Sequence, residues 1–247
     1  PTPTPLRASF AALALRELLR EFFAVVAPDA TILTAQWHSI VDPNLPPVTR
    51  RDRIRFSVYG FLKPSFFPKA FSNEVDQLVA DLIARIDALS KHLHVTPSVM
   101  AIPAASLQGE YDQAIELFEE LIEAIEAARA HVLDELATRL TETLSEMFSA
   151  DFFQELDRLS THTRPQWADD VEVKIKSIDS RAISFTGDGS VAIDLQYGSD
   201  GDCRRGDGLE LSDSYPFTFT GHSPVSDPLQ VEVEKDDISI DTSSFYE

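Results

Sequence analysis

A chain of 247 residues with 43% hydrophobic and 25% charged residues has the composition of a folded globular protein, which excludes wholesale disorder. Its one cysteine, Cys203, excludes an intrachain disulfide and a cysteine-rich zinc module, and favours a reducing, cytoplasmic setting. A formal net charge of −20 disfavours sequence-independent binding of nucleic acid over the whole surface, because a polyanion is repelled at long range.

The charge is unevenly spread. Residues 1–70 hold 9 Lys and Arg against 5 Asp and Glu, whereas 71–165 and 166–247 each hold 6 against 18. Contact with a nucleotide or nucleic acid is therefore expected only locally, within the first 70 residues. The Pro1 to Pro5 start reads as a linker, because an unprocessed chain begins with Met. Leu6 to Val26 reads as a helix, with Leu6, Phe10, Leu13, Leu18, Phe22 and Val25 at three-to-five spacing and Pro28 as its stop. The apolar run Phe10 to Leu15 is closed by Arg16 and is too short to cross a membrane. Thr31 to Val41 fits a short helix or a strand, and Asp42 to Pro47, with three prolines, reads as an extended connector. Thr49 is placed to cap a short helix through Arg53 and Val58 that ends at Gly60.

Asn73 is placed to cap a helix from Glu74 to about His92, and Thr96 to Ala105 reads as loop. From Tyr111 to Met147 apolar residues keep a three-or-four rhythm with no Pro or Gly, so one very long helix is expected, its exposed side rich in Glu. Such a helix needs a partner along its length: either the helices at 6–26 and 74–92 or a second copy of the chain. Phe152 to Leu159 fits a further turn or two of helix. After Trp167 the period changes to two, as in Val171, Val173, Ile175 and Val191, Ile193, Leu195. Gly187-Asp188-Gly189 reads as a hairpin turn, and five or six short antiparallel strands follow, with an acidic tail from Asp236 that frays. The expected architecture is α+β: a helical domain at 1–165, then an antiparallel β meander or sandwich at 166–247.

The segment from Gln36 to Phe61 brings Trp37, His38, Asp42, Arg50, Arg51, Arg53, Arg55 and Tyr59 close together in sequence. Guanidinium groups grip phosphate bidentately and aromatic faces stack on bases, so Trp37, His38, Arg50, Arg51, Arg55 and Tyr59 are the candidate anion or nucleotide site. The competing reading is that these arginines pair with the protein's own acids, of which there are 41.

Arg85 and His92 fall on nearly one face of a helix and resemble the Arg-x(4–6)-His signature of HEPN-type ribonucleases. That resemblance implies metal-independent attack by the RNA 2′-hydroxyl, with His92 moving the proton and Arg85 stabilising the developing charge. With 15 arginines and 6 histidines, roughly one such spacing arises by chance. Glu172 and Lys174 share a strand face, as in half of a restriction-type nuclease core, but an amphipathic strand offers such pairs freely. Asp200, Asp202, Asp207 and Glu210 suggest calcium, yet their spacing breaks the EF-hand order and a solvated loop fits better. No metal site is expected from the six histidines. No cofactor is expected either, as Walker, Rossmann and Gly-x-Ser-x-Gly motifs are absent.

Across much of its length the chain resembles the predicted bacterial pPIWI-associating nucleases. The residues that carry the likeness are LRELLREFFAVVAPD from Leu15 to Asp29, Trp37 and PPVTRRDRIRF from Pro46 to Phe56, followed by a helical middle and a strand-rich end. The resemblance implies an accessory protein of a bacterial intracellular defence or conflict system, and it carries no catalytic set onto particular residues. Two functions are then expected. The favoured one is a non-catalytic interaction or sensor protein, with a protein partner or a second copy docked on the long helix and a local nucleotide or nucleic-acid contact at 36–61. The alternative is a nuclease effector using Arg85 and His92.

Overall fold

Helices come first and strands second, as α+β, in the computed structural model, which describes residues 6–40, 44 and 46–246, the side chains of Ala104 and Ala105 excepted. The Pro1 to Pro5 linker, Glu247 and the connector residues Val41, Asp42, Pro43 and Leu45 lie outside the described residues. The chain divides into two compact units, 1–130 and 131–247. That division falls inside the long helix, while the change from helix to strand comes later, at His162.

The first unit is built from α1 (Arg7–Val26), α2 (Asp29–Ile32), α3 (Arg50–Tyr59), α4 (Lys69–Ser90), α5 (Pro97–Met100) and the start of α6 (Ala104–Ala150). The ambiguous stretch at Thr31 resolves as the end of α2 and turns. α3 starts as its sequence dictates. The Thr49 hydroxyl accepts the Asp52 backbone N–H, the Asp52 carboxylate accepts the Thr49 N–H, and Gly60 at φ 56° closes the helix. Asn73 does not cap α4; the helix begins a turn earlier, at Lys69 behind Pro68, which puts Asn73 in its interior. α5 adds a short turn, capped by Thr96, inside the stretch expected to be loop.

α1 forms where expected but turns its other side inward. It buries Ala8, Ser9, Ala12 and Phe23, and leaves Phe10, Leu13, Leu18 and Val25 exposed. Small residues let neighbouring helices approach its backbone closely. The Tyr111 hydroxyl donates to the Ala8 carbonyl at 2.8 Å, and Arg7 donates to the Ile102 carbonyl at 3.0 Å. Phe22 meets Phe118 of α6 edge-on at 5.0 Å. The start of the long helix is therefore packed against α1 and α4 of its own chain, with Leu107, Ala114, Leu121 and Ile125 buried.

The second unit holds the rest of α6, α7 (Gln154–Asp157), α8 (Asp200–Arg205) and a four-stranded antiparallel sheet in the order β1-β2-β3-β4. The strands are β1 (His162–Ile178), β2 (Ala182–Tyr197), β3 (Leu209–Pro224) and β4 (Ile238–Ile240). One sheet face, carrying Ile183, Phe185, Val191, Ile193, Leu195, Tyr215, Phe217 and Phe219, is buried. α6 closes over it with Val132, Leu136, Leu140, Leu144 and Phe148, and Phe148 packs 5.0 Å from Phe217.

The strands are fewer and longer than their sequence suggests. Gly187 and Gly189 are not a turn: β2 runs straight through both, and neither has a positive φ. A Cβ on Gly187 would lie 2.3 Å from Phe219 Cζ and 2.4 Å from the Glu172 carbonyl, so the glycines make room for rings lying across the strand. The tail does not fray at Asp236 either; Ile238 and Ile240 pair with Phe219 and Phe217. Val231 and Val233 form no strand, and only Glu232 between them bridges to His222. β1 loses register with β2 three times, at Pro165/Trp167, Asp169/Glu172 and Ile175/Ser177, with Asp170 in the left-handed region at φ 51°.

Candidate functional site

Four arginines of the first unit gather where α1, α3 and α4 meet. Arg16, Leu19, Arg20, Phe23, Ala24 and Ala27 are linked by i, i+3 and i, i+4 spacings, so they form a single stripe along α1. Arg50 and Arg53 face that stripe from α3, and Ile86 from α4. Together they line a cleft of about 540 Å³, with four guanidinium groups around a floor of Leu19, Phe23 and Ile86, and Asp29 as the acid in the lining.

Each arginine is held differently. Arg53 makes two hydrogen bonds to the Asp29 carboxylate, both 2.9 Å. Arg50 donates to Asp87 at 2.7 Å. Arg20 donates to Glu17 at 2.8 Å and Glu21 at 2.6 Å; the hydrogen bond and charge of Glu17, then the charge of Glu21, hold it protonated above its ordinary range. Arg16 is exposed and has no partner among the described residues. Exposed pairs of this kind are screened by solvent and weakly held, so a ligand phosphate can take over the guanidinium from its carboxylate.

The segment at 36–61 splits into two roles. Its aromatic residues are turned inward. Trp37 Nε1 donates to the Gly60 carbonyl at 2.9 Å, with its ring beside Phe56, which pins the turn after α2 to the end of α3. Tyr59 is 2% exposed and lies against Phe67, and burial pushes its phenol pKa upward. The His38 side chain is buried, its Nε2 3.9 Å from Asp52. The arginines fan outward. Arg50 and Arg53 reach the cleft, Arg55 reaches Asp76 at 3.4 Å, and Arg51 is exposed without a partner among the described residues. Three of the four are thus paired with the protein's own acids. Of the candidates Trp37, His38, Arg50, Arg51, Arg55 and Tyr59, only Arg50 lines the cleft. Arg16 and Arg20, one turn apart in α1, complete it, and their i, i+4 spacing was the legible signal.

Arg85 and His92 both face α6. His92 lies two residues past the end of α4, and its Nε2 is 2.8 Å from Glu110 Oε2 with the side chain 12% exposed. Arg85 donates to Gln113, three residues further along α6, in a cleft that also holds Asp81, Glu116 and Glu120. Glu172 stands opposite Asp188, and Lys174 makes an exposed pair with Asp188 at 3.3 Å. Asp200 to Arg205 is α8 rather than a loop, with Ser199 and Asp202 forming a capping box and Gly206 at φ 83° ending it. Among the described residues no three His, Cys, Asp or Glu are grouped to hold a metal ion, and no helix is long and apolar enough to cross a membrane.

No curated protein and no solved structure matches the chain. Two family models, both described as predicted pPIWI-associating nuclease, match residues 1–118 and 125–246 in succession. A helical unit with an arginine-ringed cleft, followed by a sheet-bearing one, is thus the form taken here by a chain that belongs to the predicted pPIWI-associating nuclease family.

Proposed function

We propose that the protein works by binding rather than by cutting, as an interaction or sensor component of a prokaryotic intracellular defence system. The observation that supports this is how its cations are used. In a chain of net charge −20, four arginines converge on one cleft of the first unit. Arg85 and His92, the pair that metal-free RNA cleavage would need, each hold a side chain of α6 instead. Association with a pPIWI protein is in the description of the family, and the exposed acidic side of α6 is the surface proposed for a protein partner or a second copy.

The test combines solution mass by light scattering with incubation against single- and double-stranded RNA and DNA, with and without Mg²⁺. Binding or assembly with intact nucleic acid is the expected result, and His92→Ala is expected to behave as the parent. Cleavage that disappears in His92→Ala while the circular dichroism spectrum is kept would overturn the reading in favour of a ribonuclease.

A further inference from the structure

The cleft between α1, α3 and α4 has a composition that selects its ligand. Its rim is made of guanidinium groups with no lysine, and arginine's planar fork matches the oxygens of a phosphate better than a point charge does. Its floor is apolar, from Leu19, Phe23 and Ile86, and the small side chain of Ala24 also lines it. A bare inorganic anion would leave that floor uncovered, and an uncharged apolar molecule would leave the arginines unused. A volume of about 540 Å³ lies in the range of small-molecule sites. The acidic remainder of the chain repels an extended polyanion, so a compact ligand is favoured over a long strand laid across the surface.

We infer that this cleft is a binding site for a nucleoside phosphate, taken free or as the terminal nucleotide of a strand, with its phosphate on Arg16 and Arg53 and its base over Leu19, Phe23 and Ile86. The inference rests on the reading of the protein as a binder and supplies the ligand class for it. Arg16 is the guanidinium on the rim that has no partner among the described residues, which leaves it ready to receive the phosphate. Arg53, already holding a carboxylate through two parallel hydrogen bonds to Asp29, shows the bidentate grip the site offers. Arg20 and Arg50 add positive charge to the same lining.

Isothermal titration of the full chain with AMP, GMP, CMP and UMP tests this, with inorganic phosphate and adenosine as partial ligands. A DNA decamer with and without a terminal phosphate separates the two sources. A mononucleotide is expected to bind more tightly than phosphate or nucleoside alone; binding of only the phosphorylated decamer would assign the site to a strand end. Arg16→Glu is expected to weaken binding about tenfold or more, as loss of a charged hydrogen bond does. Ala24→Trp, which fills the cleft without changing its charge, is expected to abolish it. Arg129→Glu, the same charge change on the exposed side of α6, is expected to leave it unaltered.

Absence of nucleotide and oligonucleotide binding, equal affinity for inorganic phosphate and nucleotide, or indifference to both cleft substitutions would overturn the inference. Cleavage of the decamer, with mononucleotide binding still dependent on Arg16, would sink the proposed function and leave the site standing.

Discussion

At the level of single residues, the sheet depends on positions where a side chain is missing. Phe219 and Phe217 lie across β2 at Gly187 and Gly189, and any Cβ at Gly187 meets both a ring and the backbone of β1. Gly187→Ala is therefore expected to destabilise the protein by about 1–3 kcal/mol, the usual cost of overpacking, measured as a lower urea midpoint. Gly109 is the counter-case, in α6 with nothing within 4 Å of the site a Cβ would take. Gly109→Ala is expected to stabilise by about 0.5–1 kcal/mol, because helix entropy is recovered without a clash. The sequence shows both glycines equally well, but a Gly-Asp-Gly run carries the same letters whether it turns the chain or accommodates a ring from the next strand. Only the partner strand decides, and Phe219 is 32 positions away.

At the level of elements, local signals were legible and facing directions were not. Thr49, Asp52 and Gly60 mark both ends of α3, and each makes the contact its type predicts. Thr49→Ala removes the hydroxyl cap and is expected to cost about 1 kcal/mol in urea unfolding, whereas Thr49→Ser, which keeps the acceptor, is expected to cost far less. α1 is the opposite case. Its large apolar residues recur at helical spacing, so the helix is plain, but alanines and Phe23 are what it buries. Close approach of neighbouring helices favours small residues at the contact, a preference that no count of hydrophobicity records. The cleft was half legible for the same reason. Arg50 and Arg53 stand in the conspicuous arginine run, while Arg16 and Arg20 join them only once α1 has been turned toward α3.

For the whole molecule, acidity shapes the response to pH. Several aspartates of the second unit titrate below the ordinary carboxylate range because hydrogen bonds favour their charged form. Asp179 is held by the backbone N–H groups of Ala182 and Arg181, Asp200 by Gln196, Asp202 by the Ser199 hydroxyl and N–H, and Asp241 by Ser243. A depressed folded-state pKa supplies stability that is fully present above the unfolded value, about 3.9, and is lost as pH falls through the lower folded values. Between pH 7 and 5 these groups contribute in full and are thus expected to add no pH dependence to the urea midpoint, which is expected to drop below about pH 4 as they protonate. In Asp179→Asn with Asp202→Asn that drop is expected to be shallower; an unchanged drop would assign the acid response to other carboxylates.

The broken register of β1 carries a consequence for crowding. A 17-residue strand at the rim of a sheet would ordinarily be a template on which other chains could crystallise into fibres. Here no uninterrupted run of its pairing with β2 is longer than four residues, so a newcomer in regular pleat would fall out of step within about 14 Å of its start. At high copy number this rim protects against fibre growth, and it leaves assembly to surfaces that recognise side chains.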